Sequence, residues 1–131
     1  MNAKKIAIND LNNEQLSWMV AKHVFPNDHC VKNPAAAVGG FGYDMAEPGD
    51  ETLCFADKLM DQYKISTLWR PWQGECGQWW ACVEQDPTDD TVMGYFGDTR
   101  YQAAMRALLA HLEAIEGFDV AGGVDVPEVL L

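Results

Sequence analysis

Residues 98–116 read DTRYQAAMRALLAHLEAIE, and this stretch decides the fold. Its apolar side chains recur every three to four residues, which predicts an amphipathic helix with one face in a protein core. The residues of that face are Tyr101, Ala104, Met105, Leu108, Leu109, Leu112 and Ile115. Asp98 or Thr99 can cap the start of this helix, and Gly117 suits the position just beyond its end.

Working outward from that helix, the same periodicity predicts two further helices at residues 12–25 and 51–63. Residues 65–69 and 78–85 are rich in β-branched, aromatic and other apolar side chains, which predicts two strands joined by a hairpin loop that contains glycine. Residues 91–96 predict a third, shorter strand.

The order of these elements is helix, long loop, helix, two or three strands, helix. Strands joined by hairpins need no crossover, so we predict an α+β fold in which an antiparallel sheet of two to three strands packs with about three helices. Pro71 either ends the first strand or makes it an edge strand. The 131 residues fit a single domain, with a long loop containing Gly and Pro at 26–49 and a weakly ordered tail at 118–131.

The chain contains 20 acidic and nine basic residues, a formal net charge of −11. A protein this acidic repels phosphate, so direct nucleic-acid binding is disfavoured. The charge either serves solubility or attracts a partner with a basic surface. No stretch is long and apolar enough to cross a membrane, and the N-terminus lacks the apolar core of a signal peptide, so we expect a cytoplasmic protein with reduced cysteines.

Four segments together resemble the phage ABA sandwich domain family, whose members are small proteins encoded by phages and prophages. The segments are EQLSWMVAK at 14–22, ADKLM at 56–60, GQWWAC at 77–82 and YQAAMRALL at 101–109. The resemblance covers roughly residues 11–113 and implies a phage or prophage origin, a bacterial host cytoplasm and an alpha-beta-alpha layering. It implies no active site.

The residues that carry chemistry in other proteins do not form a recognisable set in this sequence. Zinc sites usually take paired ligands a few residues apart, whereas Cys76 and Cys82 are six apart and His29 is adjacent to Cys30. The glycines at 39–42 lack the Lys-Ser/Thr pair of a phosphate-binding loop. We therefore predict no catalytic residue, no metal site and no cofactor.

Two kinds of side chain remain as candidates for binding a partner: clustered acids and aromatic residues in loops. Trp79 and Trp80 point to opposite faces of a strand, and we expect both in the core, whereas Trp72 is equally compatible with the surface. The predicted partner-binding residues are Asp86, Asp89, Asp90, Trp72, Phe41, Tyr43, Asp44 and Glu47.

These observations favour a non-enzymatic phage or prophage accessory protein that binds and occludes a surface of a host protein. A host-defence complex, inhibited as an anti-CRISPR protein would inhibit it, is one such target, and the acidic face would meet a basic surface on it. Two alternatives stay open: a small enzyme or ligand-binding protein that uses residues 26–49 as a lid, and a self-associating virion or assembly component. The sequence does not define the oligomeric state.

Overall fold

The structure is a computed structural model that describes residues 3–37, 45–46, 53–70, 78–86, 88, 94–113 and 123–131. The described helices and strands are, in chain order, β1 (Ala3–Ile6), α1 (Asn13–Val24), α2 (His29–Lys32), α3 (Leu53–Gln62), β2 (Ile65–Arg70), β3 (Gln78–Val83), β4 (Tyr95–Gly97), α4 (Arg100–Leu112) and β5 (Val124–Pro127). Short 3-10 turns span Ile8–Asp10, Pro34–Ala37 and Glu128–Leu130.

The three strands β2, β3 and β4 form an antiparallel sheet in that order. Ile65 lies opposite Val83 at one end of the β2–β3 pair, and Ala81 lies opposite Tyr95 in the β3–β4 pair. The predicted α+β class with an antiparallel sheet is therefore confirmed. The third strand is shorter than predicted and begins at Tyr95, while residues 91–93 lie outside the described part of the chain.

The last helix is the centre of the fold, as its sequence predicts. The side-chain oxygen of Thr99 accepts a hydrogen bond from the backbone N–H of Gln102 at 3.1 Å, so Thr99 is the N-cap. α4 contacts all three strands on one side and α1 on the other, and its alanines let these layers approach closely. The described helix ends at Leu112, and the predicted stop at Gly117 lies outside the described residues.

The helices α3 and α4 lie on the same face of the sheet. The hydroxyl of Tyr101 donates a hydrogen bond to Asp57 at 3.0 Å, and the ring of Tyr63 meets that of His111 edge-on at 6.2 Å. α1 packs on the far side of α4, with Leu16 fully buried. A helical layer on the opposite face of the sheet, which the family resemblance implies, is not among the described residues.

The prediction of a weakly ordered tail at 118–131 is wrong for residues 123–131. β5 pairs antiparallel with β1, and the valines at 124 and 126 are buried while Asp125 between them is exposed. Gln15 of α1 donates a side-chain hydrogen bond to the carbonyl of Leu130 at 3.0 Å. An alternating strand is therefore present where the glycines, Pro127 and the acids suggest a loose end.

The first part of the predicted 26–49 loop is also ordered onto the core. It contains α2, whose first turn is capped by Asp28, and the 3-10 turn at Pro34–Ala37. The indole N–H of Trp18 donates to the carbonyl of Cys30 at 2.9 Å, which attaches α2 to α1.

Candidate interaction surface

The strand β2 has one edge paired with β3 and one edge that no described strand covers. The backbone N–H of Glu84 donates to the carbonyl of Lys64 at 3.0 Å, so these opposed residues form a hydrogen-bonded pair. Such pairs alternate along an antiparallel ladder. The residues whose backbone groups point toward β3 are therefore Ser66, Leu68 and Arg70. Those whose backbone groups point outward are Ile65, Thr67 and Trp69.

The opposite edge of the sheet is closed by a side chain. In β4 the backbone N–H and C=O of Phe96 point away from β3, because those of its neighbours Tyr95 and Gly97 point toward β3. The guanidinium of Arg106 donates to the carbonyl of Phe96 at 2.7 Å and to the carbonyl of Asn9 at 3.3 Å. A three-residue strand with its outward carbonyl bonded offers little to an incoming strand.

Two large apolar side chains at the end of β2 are exposed to solvent. Trp69 is 49 % exposed and Leu68 is 38 % exposed. The ring of Trp69 meets that of Trp79 on the neighbouring strand at 5.6 Å, edge to face, so it is held in place while half of it faces water. We call the outward backbone groups of β2, together with the side chains of Leu68 and Trp69, the edge surface.

Two open grooves border the start of β2. One, of about 440 Å³, runs between α3 and β2 and is lined by Asp57, Met60, Asp61, Lys64, Ile65, Ser66, Thr67 and Arg100. The other, of about 480 Å³, is lined by Lys64, Ser66, Glu84, Gln85 and Asp86. Both expose mixed charge beside the strand edge, and both are too open to enclose a small substrate.

The other face of the sheet holds the buried ring of Trp80. Trp80 is only 2 % exposed, and the guanidinium of Arg70 lies 4.2 Å from the centre of its ring. A side chain at Gly94 would begin 2.2 Å from the Trp80 ring, so glycine is required there. The prediction that Trp80 belongs to the core is confirmed, and Trp79 is half-buried against the main core.

Of the eight predicted partner-binding residues, the structure describes one. Asp86 is exposed and lines the second groove, where its carboxylate accepts hydrogen bonds from the backbone and the hydroxyl of Thr88 at 2.9 and 2.7 Å. The other seven lie outside the described residues: Asp89, Asp90, Trp72, Phe41, Tyr43, Asp44 and Glu47.

The residue that sequence reasoning missed is Trp69. The available signal was Pro71, which allowed the first strand to be an edge strand, and an aromatic residue near the end of an edge strand tends to remain partly exposed. Apart from that proline, nothing in the local sequence distinguishes Trp69 from Trp79, which lies directly opposite on the same face.

Two titratable groups, Cys82 and His23, have resolved contacts within the fold. Burial raises the pKa of the Cys82 thiol, which outweighs the opposing effect of Arg70, so this thiol is protonated near neutral pH and is a poor nucleophile. His23 joins α1 to the end of α4 through Glu113, with 2.8 Å between Nε2 and Oε1. No three metal-binding side chains come together within the described segments.

The described residues of the predicted lid, 26–37 and 45–46, do not line either groove. Cys30 is tied to α1 through Trp18, and its thiol donates to the carbonyl of Ala36 at 3.8 Å. Neither of the two grooves is lined by His29 or Cys30. None of the described helices has the length and apolar character needed to span a membrane.

Comparison with known proteins gave no matching family model, no similar curated protein and no similar solved structure. The resemblance to the phage ABA sandwich domain family therefore stays a prediction.

Proposed function

We propose that this protein acts without catalysis, by binding another protein through the edge surface and occluding the surface it covers. The observation that carries the proposal is the edge of the six-residue strand β2, which no described strand covers and whose penultimate residue is a half-exposed tryptophan. Strand edges bind extended segments through backbone hydrogen bonds, and tryptophan is among the residues most enriched at binding hot spots.

The distribution of charge supports a partner with a basic surface. The described residues contain all nine basic and eleven acidic residues, a net charge of −2. The remaining nine acids fall in segments 38–44, 47–52, 71–77, 89–93 and 114–122, which contain no basic residue. A nearly neutral body with strongly acidic segments would attract a basic protein by long-range steering and repel nucleic acid.

The biological setting of the proposal comes from the family resemblance. A protein encoded by a phage or prophage acts in a bacterial host, and binding that covers a basic functional surface would inhibit a host protein without any chemistry. A nuclease complex of host defence is a target of this kind, because nucleic-acid-binding surfaces are basic.

The proposal is tested by affinity capture from a bacterial host lysate, followed by measurement of the Kd with the purified partner. The variant is Trp69→Ser, and its matched control is Val129→Ser, which removes another exposed apolar side chain (39 % exposed) far along the chain. We expect the wild type and Val129→Ser to capture the same partner, and Trp69→Ser to lose at least about tenfold in affinity, as the removal of a hot-spot residue does.

Salt provides the second measurement. Raising the ionic strength from about 0.05 to 0.5 M shortens the Debye length several-fold and should weaken the complex. Capture that is unchanged both by Trp69→Ser and by salt would refute binding at the edge surface and the role of charge together.

A further inference from the structure

The edge surface lacks the features by which proteins usually keep a free strand edge from pairing. Natural edge strands carry an inward-pointing charge, a proline or a bulge, or are very short. Residues 65–69 read ISTLW, with no charge and no proline, and the register with β3 runs without a bulge from Ile65 to Arg70. Arg70, at the end of the strand, is held over the Trp80 ring. An edge of this kind calls for a specific partner strand.

The outward groups of β2 are self-complementary. They belong to residues 65, 67 and 69, which are evenly spaced about Thr67. When two copies of β2 meet antiparallel around a two-fold axis at Thr67, every outward N–H and C=O finds its counterpart. Across the axis Thr67 faces the partner's Thr67, and Ile65 faces the partner's Trp69. Threonine pairs and pairs of aromatic with β-branched residues are both favourable across antiparallel strands.

We propose that β2 pairs with β2 of a second copy in this register and forms a two-fold dimer with a continuous six-stranded sheet. The two-fold operation uses the open edge of each copy once. The outer edges of the six-stranded sheet are then the two β4 strands, whose outward carbonyls are bonded by Arg106. Association through β2 therefore closes at two chains.

The groove beside the strand does not oppose this pairing. Its charged lining residues are Asp57, Asp61, Lys64 and Arg100, two acids and two bases. The residual repulsion comes from the net charge of −11 on each whole chain, most of which belongs to residues outside the described part of the chain. Screening that repulsion with salt should tighten the dimer.

The dimer and the proposed function use the same edge surface, but their opposite dependence on salt distinguishes them. Self-association of two acidic chains strengthens as salt is added, whereas capture of a basic partner weakens. A partner that occupies the edge surface would compete with the second copy. Added salt should therefore favour the dimer over the complex with the partner.

The test is the molar mass of the full chain in solution, by size exclusion with light scattering. We expect the wild type at twice the 14.6 kDa of one chain. Thr67→Lys and Thr67→Asp each place two like charges directly opposite across the axis, so each variant alone should fall to 14.6 kDa. An equal mixture of the two variants should return to the dimer mass, because residue 67 faces residue 67 of the second copy and a lysine then lies opposite an aspartate.

Val129→Lys adds a charge at an exposed apolar residue outside the edge, and it should remain dimeric. Circular dichroism checks the fold of each variant, and Thr67→Pro, which removes an outward N–H but no N–H that bonds β3, provides a second monomer-forming change. A wild type that stays at 14.6 kDa up to about 200 µM, far above an ordinary micromolar Kd, overturns the dimer. Dimers of either charged variant, or a mixture that stays monomeric, overturn the register.

Discussion

Arg106 closes the sheet at β4, and its replacement by methionine measures what that closure contributes. The guanidinium donates to two backbone carbonyls, those of Phe96 at 2.7 Å and Asn9 at 3.3 Å. It thereby joins β4 to the 3-10 turn before α1. Burial lowers the pKa of Arg106, with Asp98 and Asp10 acting in the opposite direction, but an arginine remains charged at neutral pH.

The size of the effect follows from these contacts. A hydrogen bond from a charged donor contributes about 1.5–3 kcal/mol, and the longer bond to Asn9 belongs at the low end or below. Against this, the buried Nε of Arg106 has no hydrogen-bond partner, and methionine removes that cost while keeping most of the apolar stem. We expect Arg106→Met to lower the free energy of unfolding by about 2 kcal/mol. Arg106→Lys should recover less than half, because one ammonium cannot reach both carbonyls.

Urea unfolding followed by tryptophan fluorescence gives the free energy and its slope with denaturant. The matched control is Arg100→Met in the first turn of the same helix, where the guanidinium is exposed and lies 5.1 Å above the ring of Tyr101. That change should stay within about 0.5 kcal/mol of the wild type. If Arg106→Met is as mild as the control, the carbonyl bonds contribute nothing measurable and the account of a closed β4 edge fails.

Three further predictions concern the interior. Gly94→Ala places a methyl group 2.2 Å from the buried ring of Trp80, so we expect at least about 1–3 kcal/mol of destabilisation by thermal unfolding, and no loss would show that the ring can move. Ser17→Ala leaves the buried N–H of Ala46 without its acceptor at 3.0 Å, which should cost about 1–3 kcal/mol; an unchanged urea midpoint would contradict this. Burial raises the pKa of Tyr95, so above its ordinary value of 10.0 the unfolded chain loses the proton first and stability falls as pH rises. Tyr95→Phe should flatten that alkaline decline, and an identical pH profile would refute the assignment.

Local sequence patterns predict the helices of this fold well. Leu16, Met19 and Val20 lie on the predicted stripe of the first helix, and all three are fully buried. The predicted N-cap of the last helix is also correct, since the side-chain oxygen of Thr99 accepts a hydrogen bond from the backbone N–H of Gln102, three residues ahead. These features depend on neighbours within one or two helical turns, which the sequence displays directly.

Pairings between distant segments are what the sequence does not display. β1 and β5 are four residues each and lie at opposite ends of the chain, with Ala3 opposite Pro127. A four-residue alternation is too short to predict a strand, and the glycines and acids around it are typical of a loose terminus. The pair becomes stable only when the completed core buries the valines of β5.

The exposure of the edge surface also depends on pairings between segments of the folded chain. The residues 65–69 predict a strand, but whether that strand is central or at an edge depends on the order of strands in the folded sheet. Trp69 and Trp79 are the same residue type and lie opposite each other. Trp69 is 49 % exposed, however, whereas Trp79 is packed against the core. Exposure of one tryptophan is therefore a property of the tertiary structure.

The acidic residues and the edge surface lie in different parts of the chain, and we expect them to have different kinetic roles in binding. The nine acids outside the described body carry most of the net charge, and charge acts over about a Debye length before contact is made. They should therefore set the association rate. The outward backbone groups of β2 and the side chain of Trp69 act only at contact distance, so they should set the dissociation rate. Neutralising Asp89 and Asp90 would then slow association and leave the dissociation rate nearly unchanged. Trp69→Ser would instead raise the dissociation rate and leave the association rate nearly unchanged.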